Sequence, residues 1–235
     1  MIAIESKRTK RENILKRYPD AVIADVTSHR RIGEVKPVLS TRRYPLSIQR
    51  GLHRNVRLLT KFYNEGSCAT VAATWKTNDE ECRWIAYGDS AVFHYNRHTG
   101  LLEHSFTRLA DFSNPPRLVS CKDPLEEEGC CSGVFHIDDA SSVFVASDAL
   151  SHYVLMMYEL SKSAEFESEL MELRMKRTSN SQLLQMAEKE VFKFYDDVLS
   201  PLLRSVDSEA NFKELMESLY VKKLIDIDDY TLAIL

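Results

Sequence analysis

Four consecutive apolar residues, Val143-Phe144-Val145-Ala146, run straight into Ser147-Asp148, and this junction constrains the fold more than any other stretch. A short uninterrupted apolar run reads as a central strand covered on both faces. A carboxylate at the end of such a strand is costly to bury unless it is paired or bound to a cation. The chain therefore has to build layers on both sides of a sheet and find a use for Asp148.

The 235 residues, 44% apolar and 28% charged with 7 Gly and 7 Pro, suffice for one main globular domain with a sizeable core. No stretch approaches the roughly 20 apolar residues of a membrane span, and MIAIESKRTKREN has too short an apolar run for a secretory signal. The expected location is the cytoplasm, without membrane contact. Five cysteines, Cys68, Cys82, Cys121, Cys130 and Cys131, form an odd set without C-x-x-C spacing, which suggests reduced thiols rather than a disulfide framework or a zinc site.

Charge is unevenly spread. Residues 1–61 hold 15 Lys and Arg against 5 Asp and Glu, net +10, and the remainder holds 16 against 30, net -14. The basic start is expected to pack on the acidic body of its own fold or on a partner. Contact with nucleic acid is the other reading, but these cations are scattered and no nucleic-acid motif accompanies them.

Several elements are legible. Lys7 to Arg17 reads as a short basic helix stopped at Tyr18-Pro19, and Ala21 to Ala24 as a buried strand ending at Asp25. Ile48, Leu52, Val56, Leu59 and Phe62 fall on one face of a helix. Cys68 to Trp75 has strand composition, and Arg83 to Tyr87 begins a second strand. Gly88-Asp89-Ser90 leads on into Ala91 to Tyr95, and a turn over Asn96 to Gly100 returns the chain through Leu101 to Phe106, giving an antiparallel meander. Ala110 to Gly133 reads as an irregular excursion. Ala149 to Lys162 is predicted helical with Leu150, Val154, Met157 and Leu160 on one face, followed by amphipathic segments over Leu170 to Met175, Leu183 to Leu203 and Phe212 to Leu224. A last strand follows Asp226-Ile227-Asp228-Asp229.

Three carboxylate features thus sit beside apolar strands: Asp89, Asp148 and the pair Asp228-Asp229. Taken singly, each reads as a turn or cap residue. Gathered at strand ends, they are the oxygen donors that Mg2+ and Mn2+ favour. His94, His98 and His104 flank the hairpin, where alternation spreads them over different faces, so surface histidines are expected rather than a zinc set. Ser67, Cys68 and Ser147 lack an identifiable base for nucleophilic catalysis.

The ordered set Gly66-Ser67, Gly88-Asp89-Ser90, Ala146-Ser147-Asp148-Ala149-Leu150 and Asp228-Asp229-Tyr230-Thr231-Leu232 resembles the motifs of PPM (protein phosphatase 2C-like) metal-dependent phosphatases, compact bacterial members above all. The resemblance covers about 170 residues. It implies an α+β fold, an α-β-β-α sandwich of two antiparallel sheets flanked by helices and incomplete at the N-terminus, with residues 62–235 as the phosphatase-like domain. It implies a phosphoserine/phosphothreonine protein phosphatase that uses two Mg2+ or Mn2+ ions to activate water on a phosphoprotein substrate. Matched position by position, Asp148 and Asp228 are metal ligands, with Asp89 and Asp229 as supporting residues and no catalytic group beyond the ligands.

The start departs from that pattern. The family carries an early Glu-Asp pair and then Asp-Gly, whereas this chain offers Glu12-Asn13 and Asp25-Val26-Thr27-Ser28. Asp25 is the degenerate equivalent of the bridging ligand. Residues 1–61 then form either a degenerate phosphatase start or a fused segment, since Lys10 to Ala21 with Asp25-Val26-Thr27-Ser28 also resembles the opening of an uncharacterised bacterial family. The alternative function is a catalytically inactive phosphatase fold that binds or regulates a protein partner.

Overall fold

The computed structural model describes residues 22–24, 39–40, 68–120, 122, 124 and 126–235. Its architecture is α+β, with two antiparallel sheets face to face and helices on the outer side of one of them. The first sheet has the order β1 (Val22–Ala24), β4 (Val71–Lys76), β5 (Glu81–Tyr87), β9 (Cys130–His136). In the second, β2 (Leu39–Ser40), β11 (Thr231–Ile234), β10 (Ser141–Ala146), β6 (Ala91–Asn96) and β7 (Leu101–His104) lie side by side. A two-stranded ribbon joins β3 (Cys68–Ala69) to β8 (Val119–Ser120).

Side-chain alternation explains the layering. In β6 and β10, Val92, Val143 and Val145 face Ala72, Cys82, Ala86 and Phe135 of the first sheet. Their neighbours Ala91, Phe93, Tyr95, Phe144 and Ala146 face the helices, as the period of two requires. Phe93 and Phe144 are cross-strand partners with ring centroids 5.0 Å apart and no exposed surface. Burying each ring is worth about 1.5–3 kcal/mol, so this register is strongly preferred over a one-residue slip.

Helix α1 (Asp148–Ser161) leaves β10 directly, and every residue from Leu150 to Glu159 is buried. The sequence predicts one apolar face. The helix is instead enclosed all round, between the second sheet and a further tier made by α2 (Glu167–Met175), α3 (Ser179–Ala187), α4 (Ser200–Ser205) and α5 (Glu209–Val221). The expected segment from Leu183 to Leu203 divides in two. Asp197 accepts the Lys193 N–H at 2.7 Å, and a new helical turn, Phe194–Leu199, starts there and leads into α4. A side chain that takes up a backbone donor competes with helix continuation at that point.

Two further expectations need correction. The meander is antiparallel but not one sheet: β4 and β5 pair in the first, β6 and β7 in the second, and Gly88-Asp89-Ser90 carries the chain across. Gly88 has φ +96, which a residue with a Cβ rarely adopts. The irregular excursion ends sooner than its composition suggests, because β9 begins at Cys130. Gly133 sits opposite Trp84 in the register, where a Cβ would fall 2.6 Å from the indole. The glycine that makes this strand unrecognisable in sequence is the one that makes room for its partner.

The described cysteines, Cys68, Cys82, Cys130 and Cys131, are free thiols. No described helix is long and apolar enough to cross a membrane. The basic helix over 7–17, the helix expected over 48–63 and the Gly66-Ser67 motif lie outside the described residues.

Candidate functional site

Three neighbouring strands of the second sheet bring the acidic motifs to one end. β6 pairs with β10 so that Ala91 lies beside Ala146, and β10 pairs with β11 so that Ala146 lies beside Leu232. Asp89 precedes the start of β6, Asp148 follows the end of β10, and Asp228-Asp229 precedes the start of β11. Antiparallel pairing thus converts three positions far apart in sequence into one cluster.

The surrounding hydrogen bonds fix that end of the sheet. The Ser147 N–H donates to the Thr231 carbonyl at 3.0 Å, and the Thr231 N–H donates to Ser147 Oγ at 3.1 Å. Ser147 Oγ in turn donates to the Asp229 carbonyl at 3.2 Å. Ser147 occupies the N-cap position of α1, yet its hydroxyl makes no capping bond; it is spent on joining two strands. Ser151, fully buried one turn into α1, donates to the Ala146 carbonyl at 3.0 Å and accepts the Ala91 N–H at 3.3 Å. The Tyr230 hydroxyl donates to the Asp226 carbonyl, and Asp228 Oδ1 accepts the Asp229 N–H at 2.7 Å. On the β6 side, Thr70 Oγ1 and Ser90 Oγ are 2.8 Å apart.

The electrostatics register the clustering. Burial pushes the Asp148 carboxyl up to about 6, and repulsion from Asp228, then Asp89 and Asp229, adds to it against a lowering bond from the Ala149 N–H. Asp89 is also raised, by burial first and by Asp228 after its own backbone bond. Carboxyls raised by burial and by neighbouring carboxylates, as Asp148 and Asp89 are, lack a compensating positive charge. Asp148 thus feels Asp228, Asp89 and Asp229, and Asp89 feels Asp228, whereas Asp25 lies outside the described residues.

The donor set, carboxylate oxygens without a sulfur or imidazole, fits a hard divalent cation such as Mg2+ or Mn2+. Among the described residues, however, no group of three or more His, Cys, Asp or Glu side chains is arranged to hold a metal ion.

The histidines differ from expectation. His94 is not a surface residue: it is 3% exposed, with Nδ1 at 2.7 Å from Glu103 and Nε2 at 2.8 Å from Ser141 Oγ. His152, one turn beyond Asp148 on α1, is buried beside Phe112 with Nε2 unpartnered, and burial pushes it down to about 4. Sequence reasoning missed His152 as well as the roles of Ser147, Ser151 and Thr231. Ser147-x-x-x-Ser151 straddling the start of a helix after an apolar strand is the signal that could have found two of them.

No family model and no curated protein matches this sequence. Among solved structures, the chain is similar to the catalytic domain of the serine threonine protein phosphatase PstP in complex with two manganese ions, at 12% identity and a TM-score of 0.37, covering 76% of this chain and 63% of that one. It is similar to PppA, a regulatory component of T6SS in Pseudomonas aeruginosa, at 14% identity and a TM-score of 0.35, covering 77% and 62%. It is also similar to the PP2C phosphatase domain of SpoIIE from Bacillus subtilis, solved with a fragment of its regulatory domain, at 10% identity and a TM-score of 0.31, covering 92% and 57%. The chain spans less than two thirds of each of these.

Proposed function

We propose that this chain is a metal-dependent phosphoserine/phosphothreonine phosphatase-like protein in which Asp148 and Asp228 hold Mg2+ or Mn2+, Asp25 is the third ligand, and Asp89 and Asp229 support them. The observation that carries this reading is the convergence of Asp89, Asp148 and Asp228 from three strand ends, with Asp148 pushed up to about 6 by burial and by its neighbours. Two ions bound there would supply an acidified water for in-line attack on phosphorus and would neutralise phosphate charge. The chain's own contribution is rigidity. Ser147 ties the Asp148 turn to the Asp229 turn, and Ser151 ties the Ala91 end of β6 to α1, so Asp148 stands at the start of a helix and the turns that carry the other carboxylates are anchored to the ends of paired strands. The pairing of β1 with β4 and of β2 with β11 supports counting Val22–Ala24 and Leu39–Ser40 with the sheets of this domain.

Calorimetric titration of Mn2+ into metal-free protein tests the reading, alongside Mn2+-dependent hydrolysis of phosphopeptides. Two-site binding that Asp148→Ala abolishes, with hydrolysis, is the expected result. Binding indifferent to Asp148 would overturn it.

One observation favours a second reading, a catalytically inactive fold that binds or regulates a protein partner: the described carboxylates do not by themselves form a metal cage. Phosphopeptide binding without turnover at saturating Mn2+ would select it.

A further inference from the structure

The turn that carries Asp89 is roofed by a segment with its own charge chemistry. A Cβ placed on Gly88 would lie 2.8 Å from the Arg117 carbonyl and 2.5 Å from Thr70 Cγ2, so the Arg117 backbone rests directly on the glycine before Asp89. From there the chain continues into β8, which pairs with β3 immediately before Thr70, and Thr70 bonds Ser90. The Arg117 backbone is therefore anchored beside the turn that carries Asp89.

Its guanidinium is held by Glu126 and lies 3.4 Å from Glu128. The arginine side chain is 49% exposed, against 64% and 82% for the two glutamates. Ion pairs this open to water contribute little, in general 0–1 kcal/mol, and exchange readily for a stronger anion. Arginine offers a planar fork that matches carboxylate and phosphate groups. Three other arginines among the described residues are committed elsewhere: Arg108 bonds Asp111 and Glu172 on the helical side, Arg174 bonds Glu188, and Arg97 lies over Tyr195 beyond the opposite end of β6.

Cations held by Asp148 and Asp228 would take the phosphate itself, and an anionic side chain beside the phosphoresidue then needs a partner of its own, for which the Arg117 fork is suited. We infer that Arg117 is a specificity-determining residue that exchanges Glu126 and Glu128 for an anionic side chain flanking the phosphoresidue of a protein substrate. This inference rests on the phosphatase reading of the neighbouring cluster. The exchange gives Glu126 and Glu128 a role as well: paired with the guanidinium, they weaken its grip on other anions.

The test uses two fluorescent peptides carrying a non-hydrolysable phosphonate in place of phosphothreonine, one with acidic flanks and one with neutral flanks, titrated with the full chain in Mn2+. The acidic-flanked peptide is expected to bind about tenfold more weakly to Arg117→Ala, the loss of one charge-assisted contact, and the neutral-flanked peptide equally to both proteins. Glu126→Gln with Glu128→Gln is expected to tighten the acidic-flanked peptide several-fold, an outcome that misfolding would not imitate. Equal affinities across all three proteins, or no binding of either peptide to the unaltered chain, would overturn the inference. Turnover of p-nitrophenyl phosphate by the unaltered chain reads the phosphatase assignment separately. Turnover with Arg117-independent binding removes the Arg117 role alone; Arg117-dependent binding without turnover removes the phosphatase reading alone.

Discussion

Ser147 and Thr231 hold each other through two hydrogen bonds of opposite sense, N–H to carbonyl at 3.0 Å in one direction and N–H to hydroxyl at 3.1 Å in the other. The first continues the β10–β11 ladder and any residue but proline could make it. The second needs a hydroxyl on Ser147, at a position only 1% exposed. Through it the end of β10, which delivers Asp148, is locked to the start of β11, which follows Asp228-Asp229.

Replacing Ser147 by Ala leaves the Thr231 N–H buried without its partner, which costs about 1–3 kcal/mol. The expected outcome is a fall in melting temperature of a few degrees, roughly 2–4 °C per kcal/mol for a chain of this size. Mn2+ affinity is expected to fall with it. A melting curve that superimposes on that of the unaltered protein would show that water or rearrangement replaces the bond.

Gly88 and Gly100 both have positive φ, +96 and +66, and they separate backbone strain from crowding. Around Gly100 an added Cβ meets nothing within 4 Å, whereas at Gly88 it would meet Thr70 and the Arg117 carbonyl. Gly100→Ala is expected to cost about 1 kcal/mol, the left-handed penalty alone. Gly88→Ala carries the clash as well and is expected to cost at least about twice as much. Denaturant unfolding of the two variants measures the difference, and equal losses would mean that the β3–β8 ribbon gives way without cost.

Much of this arrangement was legible in sequence where local patterns carry it. The run Val143 to Ala146 appears as β10, Ala91 to Tyr95 as β6, and the turn at Gly100 leads to β7, because strand alternation and turn chemistry are encoded in neighbouring residues. What escaped was set across space. β9 was hidden because Gly133 answers to Trp84, 49 positions earlier, and the full burial of α1 depends on a second tier of helices that its own periodicity does not announce. The acidic motifs were visible as three strand-end aspartates. Their convergence follows only from the β6-β10-β11 order, and the Ser147 clamp only from the register of β10 against β11.

Glu159 sits near the end of α1 at 4% exposure, with Oε2 unpartnered. Burial pushes it up to about 8 from an ordinary value of 4.5, and Glu169, whose own Oε2 is also unpartnered, adds repulsion. Because the folded value is the higher one, the group costs nothing below about pH 4.5, where it is protonated in both states. Its destabilising effect grows as pH rises and is complete above about 8. Glu159→Gln is therefore expected to be more stable than the unaltered protein at pH 8.5 by on the order of 1–3 kcal/mol, with the advantage shrinking towards zero near pH 4.5. Unfolding curves of both proteins at several pH values give the difference directly. A constant offset across that range would mean that the carboxylate titrates at the same pH in the folded and unfolded chain, so that burial does not shift it.

Asp148 offers the opposite trade. In metal-free protein its charge is opposed by burial and by Asp228, Asp89 and Asp229, so Asp148→Asn, which keeps the shape and removes the charge, is expected to stabilise the chain at pH 7.5 in EDTA by about 1–3 kcal/mol. Saturating Mn2+ should reverse the ranking, because a ligand that binds only the folded state raises its stability by RT ln(1 + [L]/Kd), and the variant lacks the carboxylate that would earn that gain. Thermal melts of both proteins, with EDTA and with Mn2+, supply four values. If the unaltered protein is unmoved by Mn2+ while Asp148→Asn still melts higher in EDTA, the carboxylates form a strained cluster without a metal role. If Asp148→Asn melts lower in EDTA, the cluster is held by bonds stronger than its repulsion, and Asp148 carries no uncompensated charge.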